Sequence, residues 1–462
     1  LRPIREFKLV ALLLAGVACP AKAQDTDTQR LQDEAVSRTQ EYLRLNTVNP
    51  PGNEIAGAEF FRRIFQAEGI PFEIVESAPG RANIRAWLDG GPEPALVLLH
   101  HMDVVPADPR FWETDPLAGE RRGDFLYGRG ALDTKTLGIL HLQAFLDLHR
   151  SGRRLRRPVL FIATADEEAG GMFGAGWLVQ NRPEWFRNVG LLLNEGGNGT
   201  DQGGKHIFEI EVTQKVPLWI RLMARGEPGH GSLPRVSSAV NTLIRGLERL
   251  RSHAFTPRIV PAVDNYLKAR AAAGIGPFAD RLASPAAAVR DAAFMLRLQT
   301  ENPFLAAITR NTCSITRLEG SSKINVVPPQ ASAEIDCRLL PDQDPGLFLQ
   351  ELARILDEPD ISIEKIMAFS PAVSPTDTEP FRTLERITRE YFAAATILPS
   401  VQTGFTDSHF FRDLGIASYG YSPLLIPAAD AAGVHGNNER IAVANIRRGV
   451  VVMRAVVRAL SY

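Results

Sequence analysis

Ala95-Leu96-Val97-Leu98-Leu99-His100, followed at once by His101-Met102-Asp103, is the stretch from which the fold of this chain is read. An apolar run of this length, stopped by polar residues, is a buried strand. Similar runs follow at Val159 to Thr164 and Leu191 to Asn194, with Ala82 to Trp87 before them and the helical pattern Leu137 to His149 between. A longer helical pattern, Thr28 to Phe65, precedes them all. Such alternation predicts an α/β layer fold with a mixed, largely parallel sheet. In these sheets functional groups gather just past the carboxyl ends of strands. His101 and Asp103, Glu167 and Glu168, and Glu195 all stand at such ends.

Those residue types point to metal chemistry. A metal-binding imidazole commonly needs a partner to fix its ring, and Asp103, two residues after His101, is placed to be one. Strand alternation sends the neighbouring His100 to the opposite face. Asp133 lies in Tyr127-Gly128-Arg129-Gly130-Ala131-Leu132-Asp133, where glycines turn the backbone before a helix near Thr136. Taken alone, Asp133 reads as a helix cap. Glu167 and Glu168, side by side in one cavity, repel unless cations balance them. His435, in Gly433-Val434-His435-Gly436-Asn437-Asn438-Glu439, adds a second imidazole. This mixed N/O donor set suits Zn²⁺ better than Ca²⁺. It also exceeds what one tetrahedral zinc requires, so the expected arrangement has one carboxylate bridging two ions about 3.5–4 Å apart.

Beyond Ile207 the pattern changes to longer strands, Phe208 to Val212 and Leu218 to Ala224, then a helix from Ser238 to Arg251. Strand-like Asn311 to Leu318 and Ala331 to Leu339, a helix from Pro345 to Leu356 and a strand from Ile361 to Met367 complete the order strand, helix, strand, strand, helix, strand. That order predicts an inserted α+β domain of residues 213–371, between catalytic segments 24–212 and 372–462. Helical runs at Leu267 to Ala273 and Pro285 to Leu296 read as an elaboration of the insert. If Asn311 to Leu318 and Ala331 to Leu339 pair as a hairpin with Glu319 opposite Ala331, Cys313 falls opposite Cys337. A disulfide or two buried thiols both satisfy that placement.

The chain has 462 residues, 45% of them hydrophobic, which is more than one core usually supports and leads to the expectation of two domains. Lys+Arg 52 against Asp+Glu 53 gives a net charge of -1, so nothing in the overall field attracts nucleic acid or an anionic membrane. At the amino terminus Arg2, Arg5 and Lys8 precede an apolar run from Leu9 to Ala18 and then Ala21-Lys22-Ala23, the pattern of a secretory signal spanning 1–23. The alternative is a lipoprotein signal ending at Cys19, against which Gly16 stands where Leu is usual. Cleavage after Ala23 is the preferred reading, and with it the expected location is periplasmic or secreted, with no stable membrane insertion after the signal is removed.

Together His-x-Asp, Gly-Arg-Gly-x-x-Asp, Glu-Glu and the late histidine give the chain, from about Arg38 to its end, a resemblance to the M20 family of metallopeptidases. The resemblance implies a zinc-peptidase-like catalytic domain with a ferredoxin-like lid and dimerisation domain, in a homodimer. It implies two Zn²⁺ ions per subunit, with Co²⁺ or Mn²⁺ as substitutes. One ion takes His101 and Glu195, the other Glu168 and His435, and Asp133 is shared. Asp103 orients His101, and Glu167 is the general base. His230, in Gly229-His230-Gly231-Ser232, matches a histidine that polarises the scissile carbonyl, usually across the dimer; an enlarged lid offers a route within one chain. Asn325, Arg338 and Thr406 match substrate-holding positions.

The implied activity is cleavage of an amide bond in small peptides or N-acyl amino acids with a free carboxylate, as a carboxypeptidase or aminoacylase does. Arg338 suits a carboxylate because its planar fork makes paired hydrogen bonds. A dipeptidase or aminopeptidase of the same family is the alternative. A non-catalytic solute-binding protein of the cell envelope is the contrasting class, set aside because every ligand and the general base are kept.

Overall fold

Every residue of Ala95–His101 is buried, as a central strand covered on both faces requires. In the computed structural model, which describes residues 20–202 and 204–462, Leu96 and Leu98 join the core on one side of the sheet, Val97 and Leu99 the core on the other. The ten-stranded sheet runs Phe72–Ala78, Arg81–Leu88, Val159–Thr164, Ala95–His101, Val189–Asn194, Ala417–Gly420, Lys205–Gln214, Gly199–Gln202, Leu425–Pro427, with Thr396–Gln402 also on Lys205–Gln214. Ala95–His101 is parallel to both neighbours, and the sheet's antiparallel pairings lie towards its edges. The apolar run Leu9 to Ala18, on which the export reading rests, lies outside the described residues. Among the described residues no helix is long and apolar enough to cross a membrane.

The expected inserted sheet forms as an antiparallel set ordered Thr312–Glu319, Gln330–Leu339, Val216–Arg225, Ile361–Ala368, the ferredoxin-like arrangement. Helices Ala239–Ser252 and Pro345–Leu356 cover one face, packing Leu243, Leu247, Phe348 and Leu352 against Leu218, Ile220 and Ile335. Ser238 and Asp344 cap these helices through their side chains.

Three details differ from the sequence reading. The helical run Thr28 to Phe65 is two helices, Pro20–Leu43 and Ile55–Glu68, because Pro50, Pro51 and Gly52 break it. Cys313 does lie opposite Cys337, and the two form a disulfide, but a register shift between Ile315 and Arg317 brings Glu319 opposite Ser332. The helical elaboration does not pack on the inserted sheet. Val263, Leu267 and Leu298 bury against Ile207, Leu398 and Val401 of the larger sheet, whose exposed apolar edge it covers.

The chain passes between the two sheets at Lys215, which is fully buried and donates to the Arg310 carbonyl at 2.9 Å and the Thr312 hydroxyl at 2.8 Å. Burial, reinforced by the charges of Arg338 and Arg310, pulls its ammonium down to about 7. Between that value and its ordinary pKa the unfolded chain holds a proton that the folded chain has lost, so stability rises with pH across that window and is flat below it. Lys215→Met is expected to remove this slope, roughly 1.4 kcal/mol per pH unit, in urea unfolding from pH about 7 to 10.

Candidate active site

Because Val159–Thr164, Ala95–His101 and Val189–Asn194 are neighbours in the sheet, the groups past their carboxyl ends converge. His101 Nε2 lies 3.2 Å from Asp133 Oδ1 and 3.6 Å from Glu195 Oε1. His435 Nε2 lies 3.1 Å from Asp133 Oδ2 and 3.2 Å from Glu168 Oε2. Asp133 therefore turns one oxygen to each imidazole. The sequence reading had Asp103 orienting His101 through its carboxylate. The nearer partner of Nδ1 is the Asp103 backbone carbonyl at 2.9 Å, with the carboxylate Oδ1 at 3.4 Å. A carbonyl only accepts, so Nδ1 carries a proton, and with a metal ion in the centre Nε2 would turn its lone pair to that ion. The Asp103 carboxylate also accepts the backbone N–H of Glu167 at 3.1 Å and of Glu168 at 3.2 Å, fixing the acidic turn. His100 points away as expected, into the cluster of Tyr42, Phe61 and Phe161.

The electrostatics ask for cations. Burial pushes the Glu195 carboxyl up to about 7 and that of Asp407 to about 8, and burial together with the charge of Glu195 raises Glu167 well above its ordinary value. Burial also works to raise Asp133, but hydrogen bonds from His101 and His435 outweigh it and hold the carboxyl below its ordinary range. Glu168 Oε1 is buried without a hydrogen-bond partner among the described residues. Carboxylates crowded in this way, with imidazole nitrogens between them, fit divalent metal ions that take the place of the protons. Donor atoms of His101, Glu167 and Glu195, and of His101, Asp133 and Glu168, fall within 4.8 Å of one another.

These groups open into a cavity of about 610 Å³ that is also lined by Trp219, Arg338, Phe405 and Thr406. Arg338 is braced by Asp336, at 2.7 Å from Nε and 3.1 Å from Nη2, and its Nη1 is buried with no partner among the described residues. Thr406 lines the cavity, yet its hydroxyl is engaged, donating to Gln214 at 3.3 Å and accepting the Ser408 N–H at 3.2 Å. His230 and Asn325 are not among the lining residues. They sit together on the inserted domain, both exposed, where Gly229–His230 pairs with Val326–Val327 and His230 Nδ1 meets the Ser232 hydroxyl at 2.7 Å.

Across residues 97–459 the chain matches the model of peptidase family M20/M25/M40. The chain belongs to that family. Aminoacylase-1B of Rattus norvegicus is 29% identical over 92% of this chain and 95% of its own length. The N-fatty-acyl-amino acid synthase/hydrolase PM20D1 of Xenopus tropicalis is 29% identical over 75% of this chain and 68% of its own. In fold, this M20 chain is similar to an M20 family metallo-carboxypeptidase from Sulfolobus solfataricus, with TM-score 0.71 and 18% identity over 92% of this chain and 98% of that one. This M20 protein is a metal-dependent amidohydrolase.

Sequence reasoning missed the residues that hold the ligands of this M20 site. Glu439 is fully buried and accepts the N–H of Gly130 at 3.0 Å, of Leu132 at 2.7 Å and of Asp133 at 3.1 Å, besides Arg129 at 2.7 Å. Asn49 donates to Asp103 at 2.8 Å and to Asp166 at 3.1 Å, and Arg81 ties Asp166 to Glu54. The only signal for Glu439 was its place four residues after His435. Glu439→Gln, which keeps the shape and loses the charge, is expected to weaken metal binding about 10- to 100-fold in competition with a chelator. Unchanged affinity would remove Glu439 from the metal-supporting network.

Proposed function

We propose that the protein is an exported hydrolase with two zinc ions per subunit that cleaves the amide bond of N-acyl amino acids, or of small peptides, ending in a free carboxylate. The observation that carries this reading is Arg338, which lines the same cavity as the metal-binding residues and whose buried Nη1 has no hydrogen-bond partner among the described residues. A buried donor without a partner is costly, and a substrate carboxylate supplies the missing acceptor. The full-length likeness to aminoacylase-1B supports the same substrate class.

His101, Glu195 and one oxygen of Asp133 would hold one ion; His435, Glu168 and the other oxygen of Asp133 the second. When bound, the ions supply Lewis acidity that polarises the carbonyl and acidifies water. Glu167, buried at the cavity floor, takes the proton of the attacking water and returns it to the leaving nitrogen. Trp219 and Phe405 stack near the Arg338 guanidinium, at 5.9 and 5.4 Å, and shield the carboxylate site from water. In a homodimer, His230 and Asn325 of one subunit reach the cavity of the other. Export is supported by the leader pattern and by the Cys313–Cys337 disulfide, which persists in oxidising compartments.

Activity on N-acyl amino acids is expected to disappear with a chelator and return with Zn²⁺, Co²⁺ or Mn²⁺. A panel of N-acyl amino acids, blocked dipeptides and free dipeptides tests the substrate side: a strict demand for a free amine overturns this reading in favour of a dipeptidase or aminopeptidase.

A further inference from the structure

The cavity continues beyond the metal-binding residues. Glu195, Gly196, Gly197 and Asn198 line it in succession. Three residues of extended chain reach at most about 11 Å, so this second end is within an acyl group's reach of the reacting carbon. The cavity's aliphatic lining is Leu132, Leu137, Leu424, Ile426 and Val434, and past Glu195 its lining also includes Asn198, Ser422 and the carboxylate Glu209. The Glu209 N–H bonds to the Asn198 carbonyl at 3.0 Å, which pins the residue beside the strip that leads from Glu195.

Glu209 is held from outside the sheet. Its Oε1 accepts the Tyr266 hydroxyl at 2.7 Å, with Arg270 Nη1 at 3.9 Å, and Arg270 in turn donates to the Tyr266 oxygen at 3.3 Å. Both partners belong to the helix Pro261–Ala272 of the docked elaboration. The second oxygen, Oε2, accepts no hydrogen bond among the described residues. A pocket with aliphatic walls and a few oriented polar groups is how proteins select a ligand that is apolar along its length and polar at defined points. Because Arg270 already offsets the charge of Glu209, an O–H or N–H donor is enough to satisfy the free oxygen.

We propose that Glu209 is a specificity-determining residue for the acyl half of the substrate: the acyl chain lies along the aliphatic wall, and a hydroxyl or amide N–H at its distal end donates to Oε2. The assignment rests on the reading of the chain as an N-acyl-amino-acid hydrolase. A plain alkyl chain of the same length leaves the acceptor unpaired, and sites built on a hydrogen bond reject analogues that lack it. Tyr266 and Arg270 are positioning residues.

The test is a series of N-acyl amino acids with straight acyl chains of increasing length, each made with and without a terminal hydroxyl. At one length the wild-type enzyme is expected to favour the hydroxylated member by about 10-fold or more in kcat/KM. Glu209→Leu should abolish or reverse that ratio while still cleaving plain chains. Glu209→Gln, which keeps an acceptor oxygen, should retain part of it, and Tyr266→Phe should reduce it. If the wild type cleaves the series with no such preference, the role of Glu209 is overturned and the hydrolase reading stands. Parallel loss of both substrates in Glu209→Leu, with the ratio kept in Glu209→Gln, makes Glu209 a structural tie. Inactivity of the wild type on every member removes the hydrolase reading and this inference with it. If Glu209→Leu does not fold, the wild-type ratio and Glu209→Gln decide.

Discussion

Glu167→Gln is expected to lower kcat by about a thousandfold or more while the metal content stays that of the wild type. The side chain is buried and lines the cavity, and the close imidazole–carboxylate pairs at the centre involve Asp133, Glu168 and Glu195 instead. The Glu167 backbone N–H is held by Asp103, so an amide at the same position keeps the turn and the shape. It loses the ability to carry a proton. Burial and the nearby Glu195 charge raise the Glu167 carboxyl, which suits a group that must both accept a proton and release it. Metal analysis beside the assay separates two roles, because a Glu167 oxygen also falls within donor distance of His101 and Glu195. Retention of the wild-type metal content with lost turnover supports the proton carrier; loss of metal makes Glu167 a ligand.

Arg338→Lys is the second large effect, about 100-fold in kcat/KM on substrates with a free carboxylate. Asp336 grips two of the guanidinium nitrogens and leaves Nη1 for the substrate, a division that a single ammonium cannot reproduce. The diagnostic quantity is the ratio of rates for a free acid and its methyl amide. That ratio should fall toward one in the variant, with the amide's own rate nearly unchanged. A ratio that stays high would place carboxylate recognition elsewhere.

Much of this centre was legible from sequence because its ligands follow apolar strands whose order in the sheet obeys a general rule. His101, Glu168 and Glu195 needed only the runs before them, and Asp133 the glycines around it. What was not legible are partners that meet through the fold. Glu439 lies 306 residues from the Asp133 N–H it accepts, and Asn49, in a turn of prolines, gives no hint of Asp103. The disulfide stayed open in the sequence because it depends on strand register, and the register contains a shift two residues beyond Cys313. The docking of the helical elaboration was misread for a related reason. Its apolar positions showed that it buries a face, but not which sheet receives it.

That docking has a mechanical consequence. The elaboration rests on the larger sheet, yet its last turn runs within a few residues into Thr312–Glu319, and Arg258 is bridged to Asp342 beyond Gln330–Leu339. The two sheets are thus joined by a tie-rod as well as by the passages at Lys215 and the Thr213–Val373 bridge. Tilting the smaller sheet pulls on the same helices that hold Glu209. The angle of the wall bearing Arg338 and the depth of the cavity's far end are therefore geared to each other.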